Sequence, residues 1–404
     1  MSNAPLTLLY LTGDSSALPG VAKKEIARIR ALNRVGCKTI PVFFLSPDVP
    51  LLPPVSELEN IQIVNVPRPQ LPFFLNRRYI RNYKARIYQS AANRLLSNAM
   101  AKVLAKQTFD FAFVRYPLAS RALQTLVRRF PHKIVFEHND KETREIRYYN
   151  HDVGVPYLLD QERRYAASIL KNSAGIVAVT QDILHYELER SGADRCKAIA
   201  ISNGIDPEGI RLRRIPSDSH SLRLLFVASP AEWHGLDRLL QGLALYRGSW
   251  PVELVLVGQY PDKIRDLIRS LKIEHCVTVT GKLLGADLAA LFDRCHIAIG
   301  SLGLHRLDMI QGSTLKVCEY LMRGIPFIVA HREMDLSDAE PIRNLYLELP
   351  ATDDPVDFNR VVEFARGALA DSEHVTKLRS FAEQHVAMER KAMELKMFLE
   401  KLRG

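Results

Sequence analysis

Short, nearly continuous apolar runs alternate with helical patterns along this chain, and the alternation stops and restarts once. A run apolar on both faces suits a parallel strand, and parallel strands need helical crossovers, so the rhythm predicts layered α/β domains. The first series has runs at Leu6–Leu11, Thr39–Leu45, Ile61–Val66, Phe109–Arg115, Lys133–Glu137, Ala174–Thr180 and Ala198–Ile201. The second has Leu222–Ala228, Val252–Gly258, Val277–Gly281 and Cys295–Gly300, with helical patterns over Leu236–Tyr246, Asp262–Leu271 and Gly285–Asp293. Between the series, Pro207–Ser221 is polar, rich in Arg, Ser and Pro, and has no apolar period, which reads as a linker. The expected fold class is therefore α/β: two doubly wound, Rossmann-like domains over 1–206 and 222–384, joined by a linker over 207–221 and facing each other across a cleft. A final helical stretch, about Glu373–Leu402, is long enough for 385–404 to pack back on the first domain.

The bulk properties narrow the surroundings. No run of about 18 apolar residues is present to span a bilayer, and Met1-Ser-Asn-Ala-Pro-Leu6 lacks the basic start of a secretion signal, so a cytoplasmic protein is expected. The five cysteines are scattered without C-x-x-C spacing, which argues against a disulfide framework or a zinc site. A net charge of +10 implies anionic company. Specific nucleic-acid binding fits poorly, because the basic residues sit in no recognised binding module.

Three places carry candidate chemistry. In the second series the strand ending at Gly300 leads through a loop with Gly303, His305 and Arg306 into Gly312-Ser-Thr-Leu-Lys316, the start of a helix capped by Ser313 or Thr314. A helix N-terminus offers unpaired N–H groups to an anion, and Lys316 adds a positive charge where the helix dipole alone would favour an acid. The same residues also fit a plain capped helix with a solvated lysine. In the first series, Gly13 and Gly20 follow the first strand without matching G-x-G-x-x-G; Gly20 either admits a ligand close to the backbone or satisfies a turn. The strand Lys133–Glu137 delivers His138, Asn139 and Asp140 to a carboxyl end, where α/β sheets bind their ligands. Finally, Arg77–Gln107 is a basic helical pattern without one acid, led by Leu71-Pro-Phe-Phe-Leu75. It suits an anionic membrane surface, or a solvated helix packed through Ile80, Ile87, Leu95 and Val103.

Four stretches in order resemble glycosyltransferase family 4, retaining enzymes of the two-domain B-type fold: Ile201-Ser-Asn-Gly-Ile-Asp206; Phe226 through Trp233-His-Gly235 to Leu240; Leu254-Val-Leu-Val-Gly258; and Gly312 through Glu319 to Pro326. The resemblance covers nearly the whole chain. It implies transfer of a sugar, with retention, from a nucleotide diphosphate sugar on the second domain to a glycan or lipid-linked acceptor on the first. Of the family's two glutamates separated by seven residues, the second matches Glu319, implied to bind the ribose; the first falls on Gln311, an amide. The backbone of Gly312, Ser313, Thr314 and Leu315 is implied to face sugar and diphosphate. Ser229 and His234 stand where the family commonly has an arginine and a lysine, which leaves the diphosphate to Lys316 and Arg306. His138 matches a histidine lining the acceptor side, and Gly20 a loop near the donor phosphates. The family fold requires no metal or other cofactor, and no Asp-x-Asp is present to hold one. A branch acting in bacterial surface polysaccharide assembly has a similar Trp-His-Gly loop and Gly-Ser-x-Leu-Lys segment. The departures at Gln311, Ser229 and His234 also fit an alternative, a nucleotide-sugar-binding protein impaired in catalysis.

Overall fold

Strands form where an apolar run can be covered on both faces. β1 (Thr7–Thr12) and β5 (Ile134–His138) are buried at nearly every position. With β2 (Lys38–Leu45), β3 (Gln62–Asn65), β4 (Phe111–Arg115), β6 (Gly175–Ala178) and β7 (Ala198–Ala200) they make a seven-stranded parallel sheet in the order β3-β2-β1-β4-β5-β6-β7. Helices α1 (Pro19–Arg34), α2 (Arg81–Lys106), α3 (Arg121–Arg129), α4 (Glu142–Tyr149), α5 (Val155–Asn172) and α6 (Gln181–Ser191) supply the crossovers. The computed structural model describes residues 4–13, 19–49, 55, 58–70, 81–149, 155–216, 220–337 and 339–404. The aromatic lead-in Leu71–Leu75, the basic residues Arg77 and Arg78, Ile80 and the centre of the Gly13–Gly20 loop lie outside the described residues, as do the side chains of Arg81 and Lys84.

The second sheet is parallel and six-stranded, in the order β10 (Val277–Gly281), β9 (Val252–Val257), β8 (Leu222–Val227), β11 (Ile297–Ile299), β13 (Phe327–Val329), β15 (Tyr346–Glu348). Its helices are α7 (Leu236–Leu245), α8 (Asp262–Ser270), α9 (Gly285–Phe292), α10 (Leu315–Arg323), α11 (Phe358–Ala370) and α12 (His374–His385). A separate two-stranded ladder pairs β12 (Gln311–Gly312) with β14 (Arg332–Glu333). Both faces of the six-stranded sheet are covered by apolar clusters, one around Leu224, Leu254 and Val361 and the other around Leu225, Tyr320 and Phe381.

The chain divides into unit 1, Met1–Ser202 with Met388–Gly404, and unit 2, Asn203–Ala387. The division precedes the expected boundary at 206, because Asn203 donates its backbone N–H to Ser313 Oγ (2.7 Å) and Ile205 N–H bonds Val386 O (2.9 Å), both inside unit 2. The expected linker is also not free. Arg213 is 4% exposed; its guanidinium donates to Cys295 O (2.7 Å) and Gly324 O (3.2 Å) and lies 2.8 Å from His374 Nε2. One buried cation therefore pins a stretch that lacks an apolar period to do so. The expected terminal helix is broken at Val386–Ala387, where Ala387 bridges Ile205. Its second half, α13 (Met388–Arg403), packs Leu395, Phe398 and Leu399 into the core of unit 1. Helix α10 ends at Gly324 with φ of 76°, and a Cβ there would lie 2.6 Å from Val375 O, so only glycine fits.

Burial lowers the Arg213 guanidinium to about 10, which still leaves it charged at neutral pH. Arg213→Ala strips two buried carbonyls of a charged donor and is expected to destabilise unit 2 by roughly 3 kcal/mol. Urea denaturation followed by far-ultraviolet circular dichroism measures this, and a loss below about 1 kcal/mol would contradict the pinning role.

Candidate functional site

In unit 2, β8 and β11 are neighbours in the sheet but their chains leave in opposite directions, β8 toward β9 and β11 toward β13. Such a switch point opens a crevice at the carboxyl ends of the strands. Two loops wall it here. The loop after β8 ends in a single helical turn, Glu232–His234, and is joined to the loop after β11 by Leu302 N–H to His234 O and Gly303 N–H to Trp233 O, both 3.1 Å. Arg238, 2% exposed, braces them from below by donating to Leu302 O, Asp354 O (2.8 Å) and Pro350 O (3.0 Å).

Lys316 enters this crevice from the first turn of α10. Its Nζ lies 3.1 Å from His234 Nδ1, which is also 3.1 Å from Ser301 Oγ. An ammonium can only donate, so Nδ1 is the acceptor and the ring proton sits on Nε2. Burial, with the Lys316 charge second, pushes the imidazole well below its usual range and keeps it neutral. Lys316 stands 5.6 Å from the centroid of the Phe226 ring, and burial lowers its ammonium to about 7, opposed by the Glu333 carboxylate. A half-buried lysine poised between charged and neutral is placed to gain a full charge when an anion arrives.

Thr314 caps α10, its Oγ1 accepting the Val317 N–H. Of the backbone expected to face an anion, part is already engaged. Thr314 N–H donates to Glu333 Oε1 (3.1 Å), and Ser313 is buried with its Oγ accepting Asn203 N–H. Gly312 presses on His331: a Cβ would lie 2.4 Å from the imidazole Cδ2, so a side chain has no room. The helix itself offers no acceptor to the N–H groups of Leu315 and Lys316. Gln311 is half-buried on β12. Glu319, one turn further along, has Oε1 held by Arg323 (2.8 Å) while the side chain keeps 27% exposure. Ser229 is exposed at the carboxyl end of β8.

Arg306 is committed elsewhere. Its guanidinium meets Asp237 at 2.7 and 3.0 Å, Asp353 at 2.7 Å and Glu232 O at 2.7 Å, and hydrogen bonding to Asp237 foremost raises its pKa. Arg306, expected to serve a diphosphate, is here engaged as a brace between loops, with Asp237 and Asp353 far from it in sequence and close in space.

Unit 1 has its own switch point between β1 and β4. A cavity of 390 Å³ lies there, lined by Gly13, Arg115, Tyr116, Asn139 and Asp140 with apolar walls from Leu96 and Met100 of α2. His138 is not among its lining residues. It is wholly buried, stacked on Tyr116 with ring centroids 4.4 Å apart, and its Nδ1 lies 2.6 Å from Glu142 Oε1. The groups that do reach the cavity include Asn139, whose Oδ1 accepts from Lys24 (2.7 Å), and Asp140, whose carboxyl is raised by burial. Lys24, lowered to about 8 by burial, also pairs with Glu137 (2.9 Å) beneath. Gly20 lies in the first turn of α1, exposed, with nothing within 4 Å of where a Cβ would sit. Among the described residues one grouping has metal-ligand chemistry, His138, Glu142 and Glu187. Arg190 already bonds both carboxylates, at 3.1 and 2.7 Å, and supplies the positive charge that a cation would.

No protein-family model matches the chain, and no curated protein matches it by sequence. Solved structures do resemble it over their whole length. A glycosyltransferase from Rickettsia africae ESF-5 is 15% identical over 99% of each chain with a TM-score of 0.63. Anabaena HepE, in complex with UDP-glucose, is 15% identical over 98% of this chain and 99% of its own, with a TM-score of 0.62. The lipopolysaccharide outer core galactosyltransferase WaaB, in its apo form, is 12% identical over 98% of this chain and 100% of its own, with a TM-score of 0.64. The fold, two parallel-sheet α/β domains, is that of the B-type glycosyltransferases.

The lowered Lys316 ammonium has a stability consequence. The unfolded chain binds this proton more tightly, so Lys316 costs stability below pH about 7 and the cost disappears as pH rises toward 10.5. Competitive acylation followed by mass spectrometry is expected to give Lys316 a midpoint near 7. A midpoint near that of exposed lysines, about 10.4, would contradict the burial described here.

Proposed function

We propose that the chain is a retaining glycosyltransferase of the family 4 type, which moves a sugar from a nucleotide diphosphate sugar to a glycan or lipid-linked acceptor in bacterial surface polysaccharide synthesis. The observation that carries this reading is the first turn of α10, where Lys316 Nζ meets His234 Nδ1 at the switch point of unit 2, on a helix whose leading N–H groups have no acceptor within the helix. On this reading the donor diphosphate lies against that turn, with Glu319 one turn along to take ribose hydroxyls. A clamp of this kind stabilises charge developing on the leaving diphosphate, and such electrostatic stabilisation commonly outweighs the other sources of rate enhancement. HepE, described with UDP-glucose, and WaaB, described as a lipopolysaccharide galactosyltransferase, lend support through a shared fold. No step is assigned to a metal or other cofactor.

The acceptor side is read from unit 1, where the cavity at β1 and β4 combines apolar walls with Asn139 and Asp140. A cytoplasmic protein peripheral to the inner face of the cell membrane fits the same region. Arg94, Arg121 and Arg129 line a polar groove among α2, α3 and α5, and among the described residues no acid lines it. Among the described residues no helix is long and apolar enough to cross a membrane. Cosedimentation with anionic vesicles tests this arm.

A second reading, a nucleotide-sugar binder impaired in catalysis, draws on Arg306, whose commitment to Asp237 and Asp353 removes a cation from the diphosphate. Purified protein incubated with UDP-, GDP- and ADP-sugars separates the two. The enzyme reading expects sugar release or transfer, with Lys316→Ala and Glu319→Ala each lowering the rate by about a hundredfold. A melting temperature raised by a donor without sugar release would favour the binder, and wild-type behaviour in Lys316→Ala would show that the site is misplaced.

A further inference from the structure

Gln311 is an amide at the entrance to α10, so the strand leading into this helix brings no charge. The fold brings one from the partner strand of the ladder. β12 and β14 pair in parallel with Gly312 opposite Glu333, which carries the Glu333 side chain to the turn that Gln311 opens. Glu333 is 7% exposed. Its Oε1 accepts the Thr314 N–H (3.1 Å) and the Thr314 hydroxyl (2.7 Å), with His331 Nε2 a further 3.1 Å contact. His331 is in turn anchored by its Nδ1, 3.1 Å from Ser301 O, so the carboxylate is tied to the loop after β11 as well as to α10.

The surroundings of Lys316 give this carboxylate a second effect. From the loop after β8 comes His234, a neutral acceptor; from β8 itself the Phe226 ring; from β14 the Glu333 carboxylate; and along α10, Glu319 is paired with Arg323. Burial works against the Lys316 ammonium, and Glu333 is the charge that works for it.

We propose that Glu333 is a positioning residue of the donor site: by accepting the Thr314 N–H and hydroxyl it fixes the first turn of α10, from which Lys316 meets the anion. The inference rests on reading the site as one for a nucleotide diphosphate sugar. A carboxylate near a diphosphate also repels it. The contacts gathered on Oε1 disperse that charge, and Lys316 is left as the group that meets the anion.

The two effects of Glu333 predict a loss that depends on pH, which damage to the fold alone would not give. Calorimetric titration with whichever of UDP-, GDP- or ADP-sugar the wild-type protein binds, from about pH 6 to about pH 8.5, is the test. Wild-type affinity is expected to fall above pH about 7, where Lys316 loses its proton. In Glu333→Gln the fall should begin about one pH unit lower, giving a roughly tenfold loss near pH 8 that shrinks to about twofold near pH 6. Should Glu333→Gln fail to melt cooperatively, Glu333→Asp replaces it and is expected to move the midpoint in the same direction by less. An unmoved midpoint in the folded variant, or a loss equal at both ends of the range, overturns the inference alone. A wild-type protein that binds no nucleotide sugar overturns the donor reading and the inference with it.

Discussion

A parallel sheet covered by helices on both faces leaves its strands only one place to present chemistry, the carboxyl ends, and both units of this chain obey that constraint. Several of the candidate groups sit where a strand stops, His234 after β8, Ser301 after β11, Asn139 and Asp140 after β5, and Lys316 reaches in from the first turn of α10. The constraint is set by burial. Strands such as β8 and β11 are apolar because they have no solvent face, and the polar residues they deliver begin within a residue or two of their ends. Each sheet reverses its winding between two strands, β1 and β4 in unit 1 and β8 and β11 in unit 2, and each reversal has polar groups gathered at its mouth.

In unit 2 the gathering is a problem of charge. An ammonium brought into a half-buried crevice loses hydration, and the chain offsets that loss with a neutral imidazole, an aromatic face and one carboxylate. The offset is incomplete, and the incompleteness matters. A lysine fully satisfied by a protein carboxylate would be a structural ion pair, as Arg306 is between Asp237 and Asp353. Lys316 meets a neutral imidazole rather than a carboxylate at its charged end and so has free energy to gain from an anionic ligand.

How much of this can be read from the sequence depends on the range of the interaction. Strands and most helices are legible because their signals are local: period, length and a capping Thr314 four residues before Cys318. The capped turn at Gly312–Lys316 is legible for the same reason, a cap followed by an unexpected cation. Pairings of residues distant in sequence are not. Arg213 in a polar stretch looks like a linker residue until Cys295, Gly324 and His374 surround it. Arg306 looks like a free cation until Asp237 and Asp353 close on it. Glu333 carries no periodic or motif signal at all, since its place opposite Gly312 is set by a two-residue ladder. His138 is recognisable as a strand-end residue, but its burial against Tyr116 and Glu142 follows from packing that no spacing encodes.

The central claim is that the first turn of α10 holds the diphosphate of a sugar donor. Hydrogen exchange of the backbone amides, read by mass spectrometry with and without a nucleotide diphosphate sugar, tests it most directly, because the groups said to bind are the N–H groups themselves. Exchange across Gly312–Val317 and the Glu232–His234 turn should slow on binding, while α8, on the far side of the sheet order, should be unaffected. A donor that binds yet leaves the first turn of α10 exchanging as it does in the free protein would contradict the claim.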